Sequence, residues 1–229
     1  MPLSSRVFTV GPISAQTAAH LLKNYRKETP TRINGKSVGL LTTIHEVHSD
    51  GNEIRGEVEY DFLVPISYHG KVQQVPETTI RRFYLEVKST AIGHLIVFET
   101  GQETVAEKLN RIIFGTDEAI HPAKIPPAKL RAFIEENAEV EFWVWWKNLK
   151  IPYLSKAALR GTDLAQAQDY QRYEKLGQKY YAIIKLKKRG WTISISEDAV
   201  VLLFSTSAAD EEAFLRFLKT EIQPLVATA

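Results

Sequence analysis

Two stretches of this 229-residue chain hold residue types that can do chemistry. In the first, "EYDFLVP" puts Asp61 on one predicted strand, and "FYLEVKST" puts Glu86 and Lys88 on the next. Residues two apart on a strand share a face, so Glu86 and Lys88 stand together, beside Asp61 if the strands pair in register. Two carboxylates can hold Mg²⁺, and a nearby ammonium can orient an attacking water, which are the parts of metal-assisted phosphodiester hydrolysis. In the second, "EVEFWVWWKNLK" (139–150) sets three tryptophans and a phenylalanine against cations. Cations attract phosphates and aromatic faces stack unpaired bases, so this stretch points to nucleic-acid binding without catalysis.

The first constellation resembles the PD-(D/E)xK nuclease motif over about 28 residues, Asp61 to Lys88. That resemblance implies an Mg²⁺-dependent nuclease with Asp61, Glu86 and Lys88 as its catalytic set; no other cofactor is expected. The same residues also read as a solvent-facing stripe, with Glu57, Glu59 and Asp61 meeting Arg82 and Lys88 across a sheet. The stripe is the preferred reading, and the nuclease an alternative.

The second stretch opens a basic segment. Residues 143–191 hold eleven Lys/Arg against three Asp/Glu, while the whole chain carries a net charge of only +2. Lys147, Lys150, Lys156 and Arg160 flank the tryptophan strand. Arg172 and Tyr173 fall on a predicted helix; Lys185, Lys187, Lys188 and Arg189 line a predicted hairpin with Trp191 just beyond its turn. The expected nucleic-acid-binding residues are therefore Lys147, Lys150, Arg172, Lys185, Lys187, Lys188 and Arg189, with Trp143, Trp145 and Tyr173. Strict alternation buries Val140, Phe142, Val144 and Trp146 and turns Glu139, Glu141, Trp143, Trp145 and Lys147 to the other face. A protein–protein adaptor is the competing expectation, because tryptophan, tyrosine and arginine also dominate interface hot spots.

Other chemistries find little support. The chain has no cysteine, which excludes disulfides and thiolate sites. His45 and His48 are three apart on a predicted strand, where they point to opposite faces, so no metal site is expected. No Gly-rich phosphate loop and no Gly-x-Ser-x-Gly elbow occurs. Without a bilayer-length apolar stretch or a signal-peptide core, the chain reads as soluble and cytoplasmic.

The elements that would position these residues alternate between helix and strand. A helix is predicted over 14–28, capped by Ser14 and ended by Pro30. Strands follow at 38–47 and 53–64, joined by "HSDGN", then at 80–88 and 94–99. A helix over 101–114 starts on a Thr100–Glu103 capping box. The proline-rich "GTDEAIHPAKIPPAK" separates an N-terminal half (1–117) from a C-terminal half (129–229), with residues 118–128 as linker. The C-terminal half adds a helix from Pro127, the tryptophan strand, a helix over 162–176 ending at Gly177, a hairpin, a strand and a helix over 208–222. The fold class is α+β, two antiparallel sheet-plus-helix halves packed together. Their element order resembles that of TATA-binding-protein-like repeats, which implies an internal duplication.

Overall fold

The structure, a computed structural model, describes residues 3–204 and 211–227. In chain order the elements are β1 (Leu3–Val10), α1 (Ala15–Leu22), β2 (Arg26–Ile33), β3 (Lys36–Asp50), β4 (Glu53–Tyr68), β5 (Lys71–Glu86) and β6 (Gly93–Phe98). Then come α2 (Gln102–Phe114), β7 (Ile120–Pro122), α3 (Pro127–Asn137), β8 (Ala138–Ile151), β9 (Leu154–Arg160) and α4 (Gln168–Leu176). β10 (Gln178–Leu186), β11 (Thr192–Ser196), β12 (Val200–Leu203) and α5 (Glu211–Phe217) complete the chain, α5 running on through a π turn at Leu218–Ile222. The protein is mixed α+β. It divides into two compact units, residues 9–121 and residues 122–229 together with 1–8.

In unit 9–121 the strands form an antiparallel meander, β2-β3-β4-β5-β6. The Asp-Gly turn predicted between β3 and β4 is present, with Gly51 at φ 57° and Asp50 opposite Glu53. Ile54 and Val58 are fully buried, and across the sheet Leu85 and Leu95 complete the core. Ser14 caps α1 as expected, its hydroxyl accepting from the Thr17 N–H at 3.1 Å. That helix ends at Leu22, however, and Pro30 lies inside β2 opposite Gly39. The β-branched, charged run "RKETPTRI" favours an extended edge strand over further helix. α2 starts from Gly101, at φ 79°, without the predicted side-chain cap.

In the other unit the order is β1-β12-β11-β10-β8-β9. Helices α3 and α4 pack on one face of β8 and β10. Beneath the helices lie Val144, Trp146, Ala182, Ile184, Ile193, Ile195 and Val201, all fully buried. Gly177 ends α4 as the sequence predicts, in extended rather than left-handed conformation (φ −133°). A Cβ on Gly177 would sit 2.7 Å from Leu149, so glycine here permits close packing of strand and helix end. The helix predicted over 208–222 begins, among the described residues, at Glu211; residues 208–210 lie outside them.

Both units run helix, five strands, helix in sequence, the second with α4 inserted after β9. Their sheets differ: the first is a plain meander, whereas in the second β10 pairs with β8, leaving β9 at the edge.

Candidate nucleic-acid interface

The register of β8 decides which aromatics face solvent. Trp143 pairs with Ile183, yet Ile184 pairs with Glu141, so Phe142 is the extra residue of a β-bulge. A bulge shifts alternation by one position, and every side chain before it changes face. Glu141 therefore joins Val144 and Trp146 on the helix-covered face, while Val140 joins Trp143 and Trp145 on the open one. This corrects the strict alternation expected for 139–147. Val140 and Phe142 do not lie beneath the helices, and Glu141 does.

The covered face holds a dense polar network. Lys179, almost wholly buried, donates to the Tyr170 hydroxyl at 2.7 Å and approaches Glu174 at 3.2 Å and Glu141 at 3.6 Å. Tyr170 donates in turn to both oxygens of Glu141, at 2.9 and 3.0 Å. Trp146, fully buried, donates its indole N–H to Glu174 at 3.3 Å and meets the Tyr170 ring edge-on at 5.3 Å. Arg131 of α3 holds the other oxygen of Glu174 at 2.9 Å. Arg131 also binds Glu135 at 2.8 Å, so two cations serve three carboxylates. Burial, and then the Glu141 carboxylate, push the Tyr170 hydroxyl pKa far above its ordinary value. The network ties α4 to the sheet and to α3.

The open face is built differently. Cross-strand pairing runs Arg160–Trp143–Ile183–Ser194–Leu202 in one row and Ala158–Trp145–Tyr181–Ser196 in the next. Trp143 and Trp145 are half-buried and touch edge-on at 5.6 Å; Trp145 also meets Tyr180 at 6.0 Å and Tyr181 at 5.5 Å. The Arg160 guanidinium stands 5.7 Å over the Trp143 ring, and the Lys156 ammonium 5.9 Å over Tyr180. Phe142, Trp143, Arg160, Ile183 and Phe204 border an open groove of about 550 Å³. The Trp145 indole N–H and the Ser194 hydroxyl, both buried, find no hydrogen-bond partner among the described residues. Aromatic surface, cations and a groove thus coincide on one unit's sheet.

The ten residues expected from sequence do not form one patch. Trp143 and Trp145 lie on the open face, with Lys185 and Lys147 on the same side of the sheet. Both lysines are paired there, Lys185 with Glu139 at 3.0 Å and Lys147 with Glu197 at 2.5 Å. Arg172 and Tyr173 belong to α4 on the covered side, where Tyr173 packs 5.7 Å from Trp146. Lys187 turns back to donate to the Glu136 carbonyl at the end of α3, a favoured place for a cation. Arg189 holds Glu221 at 2.8 Å and lies over the Trp191 ring at 5.1 Å. Lys150 and Lys188 are exposed near separate turns. Clustering along the chain is therefore not clustering in space. Tyr180, Tyr181, Ile183 and Phe204 were missed; the signal was there in the alternation of "KYYAIIKL", which places Tyr181 and Ile183 opposite Ala182 and Ile184.

The nuclease constellation is not assembled. β4 and β5 pair so that Glu86 opposes Glu53 and Asp61 opposes Thr78, eight residues further along. That separates the carboxylates by about 26 Å at ~3.3 Å per residue. Glu86 instead binds Lys88 at 3.3 Å and approaches His94 at 3.7 Å. Asp61 accepts from the Thr78 hydroxyl at 2.6 Å and the Leu41 N–H at 2.7 Å, and these bonds hold its carboxyl below the usual range. Of the predicted ion-pair stripe, Glu57 does face Arg82 across the strands. A second bulge corrects the histidine expectation. His45 opposes Glu57 and His48 opposes Arg55, so the extra residue brings both onto one face. His45 is bound there by Glu59 at 2.7 Å. Among the described residues, no three or more His, Asp or Glu side chains are grouped to hold a metal ion.

Among the described residues no helix is long and apolar enough to cross a membrane. Comparison with protein-family models and with curated proteins finds no match to this chain.

Proposed function

We propose that the protein binds single-stranded nucleic acid, without catalysing a reaction, on the open face of its C-terminal sheet. The observation that carries this reading is the Arg160 guanidinium placed over Trp143 at the edge of the groove. Such a pair offers a base a stacking surface and its phosphate a fixed cation within one nucleotide's reach. Trp145 and Tyr181 extend the platform along the next row, and Lys156 continues the line of cations along β9. Stacking is worth about 1–3 kcal/mol per base, and each neutralised phosphate adds a slope of roughly −0.7 in log K against log salt. The shared element order of the two units supports reading them as copies of one duplicated, TATA-binding-protein-like element that diverged at β8 and β9.

Fluorescence anisotropy of labelled oligothymidine and oligouridine tests the proposal. Affinity should fall with a log–log salt slope of about −1.4, as for two phosphates met by Arg160 and Lys156. Trp143→Ala and Arg160→Ala should each weaken binding about tenfold, whereas Arg172→Ala should not. No binding at low salt, or binding indifferent to both substitutions, removes this function.

A further inference from the structure

Beyond Tyr60 the β4–β5 hairpin leaves the body of its unit as a free ribbon. β3 pairs with β4 only as far as Thr42 opposite Tyr60, and β6 pairs with β5 only from Phe83 to Glu86. Among the described residues, 61–68 and 71–78 have no ladder partner but each other over about 26 Å, and only the Asp61 side chain, at the base, reaches β3. The face of β4 that carries buried Ile54, Val58 and Tyr60 continues outward as Phe62, Val64 and Ile66. The Lys108 ammonium of α2 stands 4.9 Å over the Tyr60 ring, and past that point the row is uncovered: Phe62 is 38% and Ile66 43% exposed. Val75 lies beside Val64 from the opposite strand.

Three features say what covers this face. First, residues 61–80 contain only three Asp, Glu, Lys or Arg: Asp61, Lys71 and Glu77. A ribbon with so little charge, and no net positive charge, does not suit a polyanion. Second, Pro65 and Pro76 stand in strand pairs two apart, so both occupy the same class of ladder position. Proline fits a ladder only where its nitrogen faces outward, and one on each free edge opposes addition of a further strand there. Contact must therefore be made through the face. Third, Lys71 and Glu77 share that face on β5, one near the tip and one near the base, and both are exposed.

We infer that the ribbon is a self-association arm, which packs face to face with the same arm of a second copy. Under a two-fold axis across the ribbon, β5 of one copy runs antiparallel over β5 of the other. Val64 then meets Ile66 of the second copy, and Lys71 meets its Glu77, twice by symmetry. One ribbon face is small beside the ~800 Å² per partner of a standard interface, so the dimer forms and dissociates with concentration.

Sedimentation equilibrium of the full chain, with circular dichroism confirming the fold of each variant, tests this. Wild type should move from monomer towards dimer as concentration rises. Lys71→Glu and Glu77→Lys should each weaken association about tenfold or more, because two attractive contacts become repulsive. The double exchange Lys71→Glu/Glu77→Lys should restore it, and an equimolar mixture of the single variants should associate better than either alone. Ile66→Glu should abolish it. A wild type that stays monomeric at all concentrations overturns the inference. So does a double exchange that fails to restore association, or an Ile66→Glu variant that loses nucleic-acid binding while wild type shows no dimer.

Discussion

Trp145 and Trp146 are neighbours in the chain and belong to opposite worlds. Trp146 is fully buried under α4, its indole N–H bonded to Glu174 and its ring fixed by Tyr170. Trp145 is half-buried on the open face, among aromatic rings, and its indole N–H finds no partner among the described residues. On the covered face of this sheet Lys179 and Arg131 are ion-paired with Glu141 and Glu174. On the open face Arg160 and Lys156 lie against ring faces and make no ion pair with any described residue. One face stabilises the fold; the other carries the aromatic surface and the two cations on which the proposed binding rests.

Substitutions should separate these roles, starting from the largest effect. Trp146→Ala should cost about 3–5 kcal/mol of stability, read from the denaturant midpoint, through loss of packing and a residual cavity. Trp143→Ala should cost about 1 kcal/mol or less and act on binding instead. Lys179→Met comes next, at about 3 kcal/mol, because Glu141 loses its nearby cation in a buried place. Adding Glu141→Leu should return part of that loss, since removing both charges spares the unpaired one. Tyr170→Phe removes a hydroxyl that joins Lys179 to Glu141 and should cost about 1–2 kcal/mol, with oligonucleotide affinity unchanged. The smallest effects belong to Arg172→Ala and Lys188→Ala, exposed cations away from the groove. Each should shift stability by less than about 0.5 kcal/mol and leave affinity within about twofold. If Arg172→Ala weakened binding as much as Arg160→Ala, the division between the faces would be wrong.

Much of this fold was legible from local pattern. The Asp-Gly turn, the apolar rows of β4 and β10, the Ser14 cap and Pro127 at the first turn of α3 all follow from properties of single residues and their near neighbours. What escaped depends on partners distant in sequence. β1 and β9 carry little alternation of their own, and form because β12 and β8 offer them edges. The bulges at Phe142 and between His45 and His48 depend on the partner strand's register, and each reverses which face a side chain meets. Glu86 and Lys88 are in contact although Lys88 lies beyond the end of β5, and the distance of Glu86 from Asp61 is set by a long hairpin whose turn lies at 69–70. Charge counted along 143–191 overstated the basic patch, because Glu139, Glu197 and Glu221, all outside that window, neutralise three of its cations.

The most direct test of the open face is the set of indole N–H signals in a ¹⁵N-labelled sample titrated with oligothymidine. The chain has four tryptophans, at 143, 145, 146 and 191, so four signals report four places. Binding on the open face should move the Trp143 and Trp145 signals and leave those of Trp146 and Trp191 in place. Shifts confined to Trp146 or Trp191, or no shift at saturating oligonucleotide, would contradict it.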